Sequence, residues 1–315
     1  MKVIEHISNT KNPEFSYEIV PPARGRSIKD ITEVVKKLAP FNPPWIDVTS
    51  HSSTAQFFEN EDGSINKRTF RKRPGTMGIC GVIQNRFKID TVAHVLCQGF
   101  TREETEDALI ELHFLGVHNA LALRGDHPNF TKEVSKHRSV NNYAADLVEQ
   151  LVDLKKGKFL DHIEDTAPLD FCIGVAGYPE KHFEAPSLKQ DISYLKKKVD
   201  AGAEYIVTQM FFDNQKFLNF VDLCRQEGIQ VPIIPGIKVI KSAKQLKTLP
   251  KAFYIDLPDD LVEEFEANPQ HEVEIGKNWA VKQIEELLME GHLNVHFYVL
   301  NDSDTISEIV SRFKK

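Results

Sequence analysis

At Phe15-Ser-Tyr-Glu18-Ile-Val-Pro-Pro22 the chain closes an apolar run with an acid and two prolines. A carboxylate at the end of a buried strand is costly unless it is paired or takes part in chemistry. Other apolar runs of the chain also end in polar residues that could face one common site, namely Thr49, His94, Asp126, Tyr178 and Gln209. This repetition favours a barrel whose chemistry lies at one rim.

Short β-rich runs alternate with amphipathic stretches along the sequence. The runs are mostly apolar on both sides of the alternation, as expected for a parallel sheet that is buried on both faces. About eight strands, each followed by a helix, is the count of a TIM (β/α)8 barrel, so we predict an α/β fold of that class. The predicted strands cover 15–20, 45–51, 91–97, 119–124, 170–177, 204–211, 232–237 and 295–300.

Helix signals fill the gaps between these strands. Thr101-Arg-Glu-Glu104 is a capping box ahead of a helical stretch that Gly116 ends. A doubly wound sheet is the alternative fold, but Pro21-Pro-Ala-Arg-Gly25 stands where its G-x-G-x-x-G turn would follow the first strand. The predicted helices cover 28–38, 108–115, 187–199, 214–227, 261–267 and 279–290.

Length and charge set broad limits on function. A barrel commonly takes roughly 250 residues as one unit, so we expect residues 1–315 to form a single domain. The net charge of −7 argues against nucleic acid as the main partner, because phosphate binding needs a basic surface. The first residues lack the features of a signal peptide, and no apolar stretch approaches the ~18 residues of a transmembrane helix, so we expect no membrane partner.

The cysteines and histidines give no metal pattern. The four cysteines are widely spaced and each lies in or beside an apolar run, which predicts buried, reduced thiols in a cytoplasmic protein. His292 and His296 have the i, i+4 spacing of a zinc pair, but Gly291 should break the helix there, so they need not share a face. His271-Glu272 lacks the second histidine of HExxH. We therefore expect no metal.

Two long polar segments interrupt the alternation, over 56–74 and 126–142. The first ends in a basic run, Lys67-Arg-Thr-Phe-Arg-Lys-Arg73. Long loops after barrel strands are usually lids or substrate loops, and sometimes only surface. Another charge run, Lys196-Lys-Lys198, lies within a predicted helix and is either a solvated face or a partner for a diphosphate.

Each strand-end polar residue has a structural alternative beside its chemical one. Glu18 could form a salt bridge, but a partly buried glutamate has a raised pKa and can deliver a proton near neutrality. Asp126 closes Leu121-Ala-Leu-Arg-Gly-Asp126 and could be a simple Asp–Arg pair. Gln209 could bond the backbone or contact a heterocycle, since an amide donates and accepts at once. His94, flanked by apolar residues, is a core residue more often than a ligand.

Taken in order, the motifs of the chain resemble those of the methylenetetrahydrofolate reductase family. They span nearly the whole sequence, and the ordered set is highly specific although each motif is weak alone. The matching segments are Tyr17-Glu18-Ile-Val-Pro-Pro22, Asp47-Val-Thr49, Ala93-His94-Val-Leu-Cys97, Ala122-Leu-Arg-Gly-Asp126, Tyr143-Ala-Ala-Asp146-Leu, Gly177-Tyr-Pro-Glu180, Lys198-Val-Asp-Ala-Gly202-Ala, Thr208-Gln-Met-Phe-Phe-Asp213, Ile234-Pro-Gly-Ile237 and His296-Phe-Tyr-Val-Leu-Asn301.

The resemblance implies a TIM barrel that binds FAD without a Rossmann motif. It implies reduction of 5,10-methylenetetrahydrofolate to 5-methyltetrahydrofolate by the reduced flavin, which NADH or NADPH recharges in a ping-pong cycle, in the service of methionine synthesis. The choice between NADH and NADPH stays open. The partners implied are the folate and nicotinamide substrates and, from bacterial relatives, further copies of the chain. We expect the chain to lack the S-adenosylmethionine-responsive domain of eukaryotic members.

The resemblance also implies roles for single residues. Glu18 matches the general acid that opens the five-membered ring of the folate. Asp126 matches the acid beside the flavin and the pterin, and Gln209 matches the amide that contacts the folate or the nicotinamide. The flavin-contacting positions match Thr49, His94, Arg124, Gly125, Asp126, Tyr143, Tyr178, His182, Asp191, Lys197 and Lys198.

The chain departs from the family pattern in several places. Ser50-His-Ser-Ser53 replaces an aromatic, glycine-rich stretch, and Ala243 stands where a substrate-stacking aromatic commonly follows the Pro-Gly-Ile segment. Two alternatives follow from these departures: another flavin-dependent barrel oxidoreductase, similar to proline dehydrogenase, or a partner-dependent, non-catalytic subunit. The intact set of candidate catalytic residues argues against the second alternative.

Overall fold

Eight parallel strands close into a barrel in the computed structural model, which describes residues 1–125, 138–300 and 302–314. Each barrel strand pairs with the barrel strand that follows it in sequence, and β10 closes the ring on β1, which is the TIM (β/α)8 topology. The predicted barrel is therefore confirmed. The strands are β1 (Glu14–Ile19), β2 (Trp45–Val48), β3 (Thr54–Glu59), β4 (Ile65–Phe70), β5 (Asp90–Leu96), β6 (Asn119–Leu123), β7 (Cys172–Gly177), β8 (Tyr205–Met210), β9 (Ile233–Ile237) and β10 (Asn294–Leu300), of which all but β3 and β4 belong to the barrel.

Helices follow the barrel strands. They are α1 (Val3–Asn9), α2 (Ile28–Leu38), α3 (Thr76–Val82), α4 (Arg102–Phe114), α5 (Ala144–Lys155), α6 (Leu188–Asp200), α7 (Asn214–Gln226), α8 (Ala243–Phe253), α9 (Asp259–Ala267), α10 (Glu272–Met289) and α11 (Ser303–Val310). Among the described residues, none of these helices is long and apolar enough to cross a membrane.

The predicted helices all occur, and the capping box of α4 is formed. The Thr101 side chain accepts from the backbone N–H of Glu104, whose carboxylate accepts from the N–H of Thr101. Five helices were not predicted from the sequence: α1, α3, α5, α8 and α11. Two glycines in α3 and Pro250 in α8 disfavour helix, which explains these two omissions. The start of α10 was predicted seven residues late, since the first turns of that helix are mostly polar.

Residues 54–70 form an antiparallel hairpin, here called the rim hairpin, where the sequence analysis predicted only a polar loop. Its strands β3 and β4 pair from Thr54 with Phe70 to Glu59 with Ile65. Both strands are largely exposed, so they show none of the apolar alternation that reveals a half-buried strand. The rim hairpin lies on the connection from β2 to α3, which places it at the carboxyl ends of the barrel strands.

The amino-terminal end of the barrel is covered by α1. Val3 of this helix is fully buried in a cluster of side chains from the lower part of the barrel, among them Trp45, Leu121 and Tyr205. The backbone N–H of Val3 donates to Oδ1 of Asn119, at 2.9 Å, and fixes the helix there. The carboxyl end of the barrel is thus the end left for binding and chemistry, as is general for this fold.

Candidate active site at the carboxyl ends of the strands

Glu18, Asp47 and His94 form a polar cluster inside the upper part of the barrel. They come from the adjacent strands β1, β2 and β5, and strand pairing sets Glu18 beside Asp47. Nε2 of His94 lies 3.3 Å from Oδ2 of Asp47 and 3.8 Å from Oε2 of Glu18. One imidazole is therefore placed between two carboxylates.

Asp47 also faces a second histidine. Nδ1 of His296 lies 3.8 Å from Oδ1 of Asp47 and 2.8 Å from the hydroxyl of Ser16. Burial lowers the pKa of both histidines. At His94 the hydrogen bond with Asp47 and the charges of Glu18 and Asp47 outweigh burial, so the pKa of His94 is raised, whereas the pKa of His296 is lowered. The cluster thus favours a charged His94 beside a neutral His296.

A buried lysine flanks Glu18 on its other side. Tyr298 of β10 is the strand neighbour of Glu18, and its hydroxyl donates to the carbonyl of Thr208 at 2.6 Å. Lys238, which follows β9, donates from Nζ to the carbonyl of Tyr298 at 2.9 Å. Lys238 is only 7% exposed, and burial lowers its pKa to about 8, although the charges of Asp302 and Glu18 favour the ammonium form. Glu18 therefore lies near two basic side chains, with His94 at 3.8 Å and Lys238 interacting through its charge.

Of the other two candidate catalytic residues, Gln209 is among the described residues and Asp126 is not. Gln209, near the end of β8, is partly exposed, and its side-chain oxygen accepts from the backbone N–H of Met210 at 3.0 Å. This is the local backbone contact that we weighed as the alternative for Gln209. Asp126 lies outside the described residues.

Arg124 and Gly125 follow β6 at the same end of the barrel. Arg124 forms an ion pair with Glu184, and its guanidinium carbon lies 5.4 Å from the centre of the Tyr143 ring. Its Nε is buried without a hydrogen-bond partner in the described structure. Gly125 has φ of +97°, and a Cβ there would come within 3.4 Å of Cβ of Gln98. The turn is therefore tight and suits a close approach of the backbone to a ligand.

A second group of predicted cofactor residues surrounds the start of α6. The backbone N–H of His182 donates to Oδ2 of Asp191 at 2.9 Å, and its ring meets Tyr178 edge-on, with ring centres 4.8 Å apart. Lys198 donates from Nζ to the carbonyl of Ala176 at 2.6 Å. Burial lowers the pKa of Lys198 to about 8 and raises the pKa of Asp191.

His182 joins these two groups. Burial first, and then the positive charges of Lys198 and Arg124, together lower its pKa to about 4. Lys198 and Arg124 must then lie near His182, so the residues after β6 and those around α6 face a common site. His182 is neutral there and can accept or donate a hydrogen bond.

Thr49 and Lys197 complete the predicted set. The hydroxyl oxygen of Thr49 is buried without a partner among the described residues, while its carbonyl accepts from the hydroxyl of Thr76 at 2.9 Å. Lys197 lies on the exposed face of α6, with Nζ 5.5 Å from the centre of the Tyr194 ring. The structure therefore does not bring Lys197 into the buried group.

The residues around this site fit a dinucleotide cofactor better than a metal. Buried Thr49 Oγ1 and Arg124 Nε lack partners in the described chain, and the nearby cations Arg124 and Lys198 suit a diphosphate. Gly125 leaves room for close approach. Within residues 1–125, 138–300 and 302–314, no group of three or more His, Cys, Asp or Glu side chains could hold a metal ion.

Three residues of the site were missed by the sequence analysis as participants. They are Asp47, Lys238 and His296, which surround Glu18 and His94. Asp47 carried a usable signal, since it is a charged residue within the buried four-residue strand β2. Lys238 gave none, because nothing local distinguishes a lysine after a strand. His296 stands on an apolar strand as His94 does, but its sequence signal was its spacing from His292.

The chain matches one protein family over almost all of its length. A family model described as "Methylenetetrahydrofolate reductase" matches residues 3–314. The "Methylenetetrahydrofolate reductase (NADH) 1" of Arabidopsis thaliana is 31% identical over 318 residues, which cover 96% of this chain and 49% of the plant protein. The chain spans about half the length of the eukaryotic curated relatives it matches.

A bacterial relative is matched over most of its own length. The "5,10-methylenetetrahydrofolate reductase" of Buchnera aphidicola subsp. Schizaphis graminum is 32% identical, over 95% of this chain and 91% of that protein. Among solved structures, an uncharacterized protein from Clostridium thermocellum that binds two copies of 5-methyl-5,6,7,8-tetrahydrofolic acid superimposes with a TM-score of 0.59 at 13% identity, covering 98% of this chain and 97% of that one. This likeness concerns the fold.

Proposed function

The chain belongs to the methylenetetrahydrofolate reductase family, and on that premise we propose that it reduces 5,10-methylenetetrahydrofolate to 5-methyltetrahydrofolate with NADH or NADPH as electron donor. The observation that carries the proposal is the position of Glu18, near the carboxyl end of β1 and 3.8 Å from His94, where it also interacts with the charge of Lys238. The name of the bacterial relative states the same substrate, and the solved neighbour with bound methyltetrahydrofolate supports a folate ligand for this kind of barrel.

Glu18 is the proposed general acid. Opening the five-membered ring of the folate requires a proton on the departing ring nitrogen, and a carboxylic acid at the rim can deliver it. Once Glu18 has given up its proton, the positive charges of His94 and Lys238 stabilise the carboxylate that remains. Asp47 holds His94 in place for this role. Gln209 and Asp126 are proposed to orient the substrate rings.

FAD is the proposed cofactor, and when bound it supplies the hydride carrier between nicotinamide and folate. Arg124 and Lys198 would neutralise the diphosphate, and the backbone at Gly125 would approach it closely. Thr49 would offer its buried hydroxyl to the cofactor. The remaining proposed contacts are His94, Asp126, Tyr143, Tyr178, His182, Asp191 and Lys197.

We further propose that residues 1–315 act as one catalytic domain in the cytoplasm and assemble as a homo-oligomer, making methyl groups for methionine synthesis. The cysteines support the compartment, because all four are buried free thiols, as expected where disulfides are kept reduced. Light scattering on the purified protein tests the assembly, and a monomeric mass would contradict it.

Anaerobic visible spectroscopy of the purified protein tests the proposed function. The flavin band should bleach when NADH or NADPH is added and return when methylenetetrahydrofolate follows. Proline, the substrate of the alternative oxidoreductase, should leave the band unchanged. A protein that cannot be reconstituted with FAD, or a reduced flavin that the folate does not reoxidise, would contradict the proposal.

A further inference from the structure

The rim hairpin and the loop after β1 border an open groove that the proposed chemistry does not use. The groove has a volume of about 740 Å³, within the range of small-molecule sites. Its lining combines aromatic rings with guanidinium groups, and it includes Arg24, Gln56, Phe58, Arg68, Phe70 and Arg71.

The groove lies at the same end of the barrel as Glu18. Arg24 stands on the loop that follows β1, and its backbone N–H donates to the carbonyl of Lys72 at 2.9 Å. Nε of Arg24 also donates to the carbonyl of Arg71, at 3.3 Å. Arg71 additionally lines a smaller cavity, of about 110 Å³, whose wall includes His94. The base of the rim hairpin is therefore joined to the loop of the proposed acid.

One face of the rim hairpin carries both aromatic rings and a positively charged guanidinium group. Strand pairing sets Gln56 opposite Arg68 and Thr54 opposite Phe70, so Phe58, Arg68 and Phe70 share the face that lines the groove. The guanidinium carbon of Arg68 lies 5.8 Å from the centre of the Phe58 ring. Phe58 is 46% exposed, so much of its ring surface is open to solvent. Such a ring offers a surface on which a planar group can stack.

The arginines of the groove keep their charge unpaired. Throughout the described ranges, no carboxylate forms an ion pair with Arg24, Arg68 or Arg71, although the whole chain carries a net charge of −7. The acidic residues of the rim hairpin, Glu59, Glu61 and Asp62, lie at its tip, away from this base. Guanidinium groups bind carboxylates and phosphates through two parallel hydrogen bonds.

We propose that this groove binds a planar aromatic ring that carries an anionic arm, with the ring against Phe58 and Phe70 and the anion on the arginines. Two sources of this chemistry exist within the proposed function, on which the identity of the ligand rests. One is the adenosine phosphate end of NADH or NADPH, and the other is the p-aminobenzoylglutamate end of the folate. In either case the reacting ring of the same molecule would lie toward Glu18.

Two unreactive fragments test the proposal and separate the sources. Isothermal titration calorimetry of the full chain at low ionic strength would use ADP for the nucleotide and p-aminobenzoylglutamate for the folate. At least one fragment should bind, and Arg68→Gln should weaken that binding about tenfold or more, because it removes a charge-assisted hydrogen bond. Binding of ADP that Arg68→Gln weakens assigns the groove to the nicotinamide cosubstrate, whereas ADP binding that this variant leaves unchanged belongs to the proposed FAD site. Binding of p-aminobenzoylglutamate that Arg68→Gln weakens assigns the groove to the folate.

Arg86→Gln is the matched control. Arg86 makes the same kind of contact, with its guanidinium carbon 5.9 Å from the centre of the Phe87 ring, but it precedes β5 and so lies toward the amino end of the barrel. This variant should bind the fragments as the unsubstituted chain does. Both arginines are exposed, so thermal melts of the two variants should match and exclude misfolding.

The outcomes distinguish this inference from the proposed reaction, since the titration needs neither flavin nor turnover. If neither fragment binds, or if Arg68→Gln leaves binding unchanged, the groove assignment is wrong even when the reductase is active. If a fragment binds as expected and no folate is reduced, the groove assignment is supported and the proposed reaction is contradicted. Loss of an oligomer in Phe58→Ser, with no fragment binding, would instead assign the face to a second copy of the chain.

Discussion

Nε2 of His94 lies 3.3 Å from Oδ2 of Asp47 and faces Glu18 across the same buried cluster. This relationship gives the proposed acid a histidine neighbour that Asp47 holds in position and whose pKa the hydrogen bond with Asp47 helps to raise. Chemistry at Glu18 and the charge state of His94 are thereby connected.

Glu18→Gln should separate the two half-reactions. The amide cannot protonate the folate, so the rate of folate reduction should fall by about 10²- to 10⁴-fold, while oxidation of NADH or NADPH by the bound flavin continues. Anaerobic stopped-flow spectroscopy measures both steps. Glu14→Gln is the control, because Glu14 begins the same strand and pairs with Lys314 at the opposite end of the barrel. Survival of both half-reactions in Glu18→Gln would refute the role of the acid.

His94→Gln should destabilise the protein most at low pH. The pKa of His94 is raised in the folded state, so its pairing with Asp47 contributes stability that is complete below the usual histidine pKa of 6.5 and is lost as pH rises through the folded pKa. We expect a loss of about 3 kcal/mol in the free energy of unfolding at pH 5.5 and a smaller loss at pH 9.

Urea denaturation of His94→Gln at both pH values measures this difference. The opposite effect of His296, whose pKa is lowered chiefly by burial, is present in both proteins, and only the small part of it that comes from the charge of His94 changes in the variant. His271→Gln, at an exposed position, should change stability little at either pH. A loss that stays constant, or grows as pH rises, would mean that His94 is not held in its charged form.

Lys238→Met should stabilise the fold and impair folate reduction. Burial lowers the pKa of Lys238 to about 8, so the cost of keeping its charge in the folded protein is complete below pH 8 and disappears above the ordinary lysine pKa of 10.5. Removing the amine should add about 2 kcal/mol to stability at pH 7 after the loss of its hydrogen bond to Tyr298. Glu18 meanwhile loses a cationic neighbour, which should slow the folate half-reaction.

Thermal melts from pH 7 to pH 10 test the Lys238 prediction, and the gain should shrink as pH rises. Lys241→Met is the control, since Lys241 pairs with Asp302 at 2.8 Å and is 39% exposed. It should bring no gain. If Lys238→Met destabilises the protein at every pH, the buried ammonium is stabilising and our account of its cost is wrong.

Gly276→Ala should loosen the packing of α10 on the barrel. A Cβ at this position would lie 1.6 Å from the carbonyl oxygen of Ile240, so the helix or the chain after β9 must shift, at a cost of about 3 kcal/mol. Gly78→Ala in α3 is the matched control, because a Cβ there meets nothing within 4 Å. Alanine should stabilise that helix by about 0.5–1 kcal/mol. Denaturation curves that rank the two variants in the opposite order would contradict this packing.

The sequence predicted the barrel because its strands are buried on both faces and read as apolar runs. The rim hairpin escaped prediction for the converse reason, since Gln56 and Arg68 stand on strands with no buried face. Because of Pro250, the sequence did not predict α8. Proline disfavours the interior of a helix, but tertiary packing forms the helix here.

Two of the five residues in and around the polar cluster, Glu18 and His94, were predicted as site residues from the sequence. They lie on apolar strands where a polar side chain is conspicuous. The roles of Asp47, Lys238 and His296 depend on contacts between strands that are distant in sequence, as the separation of 280 positions between Ser16 and its partner His296 illustrates. Asp126 stays a prediction, since it lies outside the described residues.

The rim hairpin makes its ladder of hydrogen bonds within itself, and every one of its side chains is at least partly exposed. A lineage could therefore acquire, lengthen or discard this segment without repacking the barrel beneath it. Residues 54–70 can therefore change in sequence and length while the core keeps the strands that carry Glu18 and Asp47 in place.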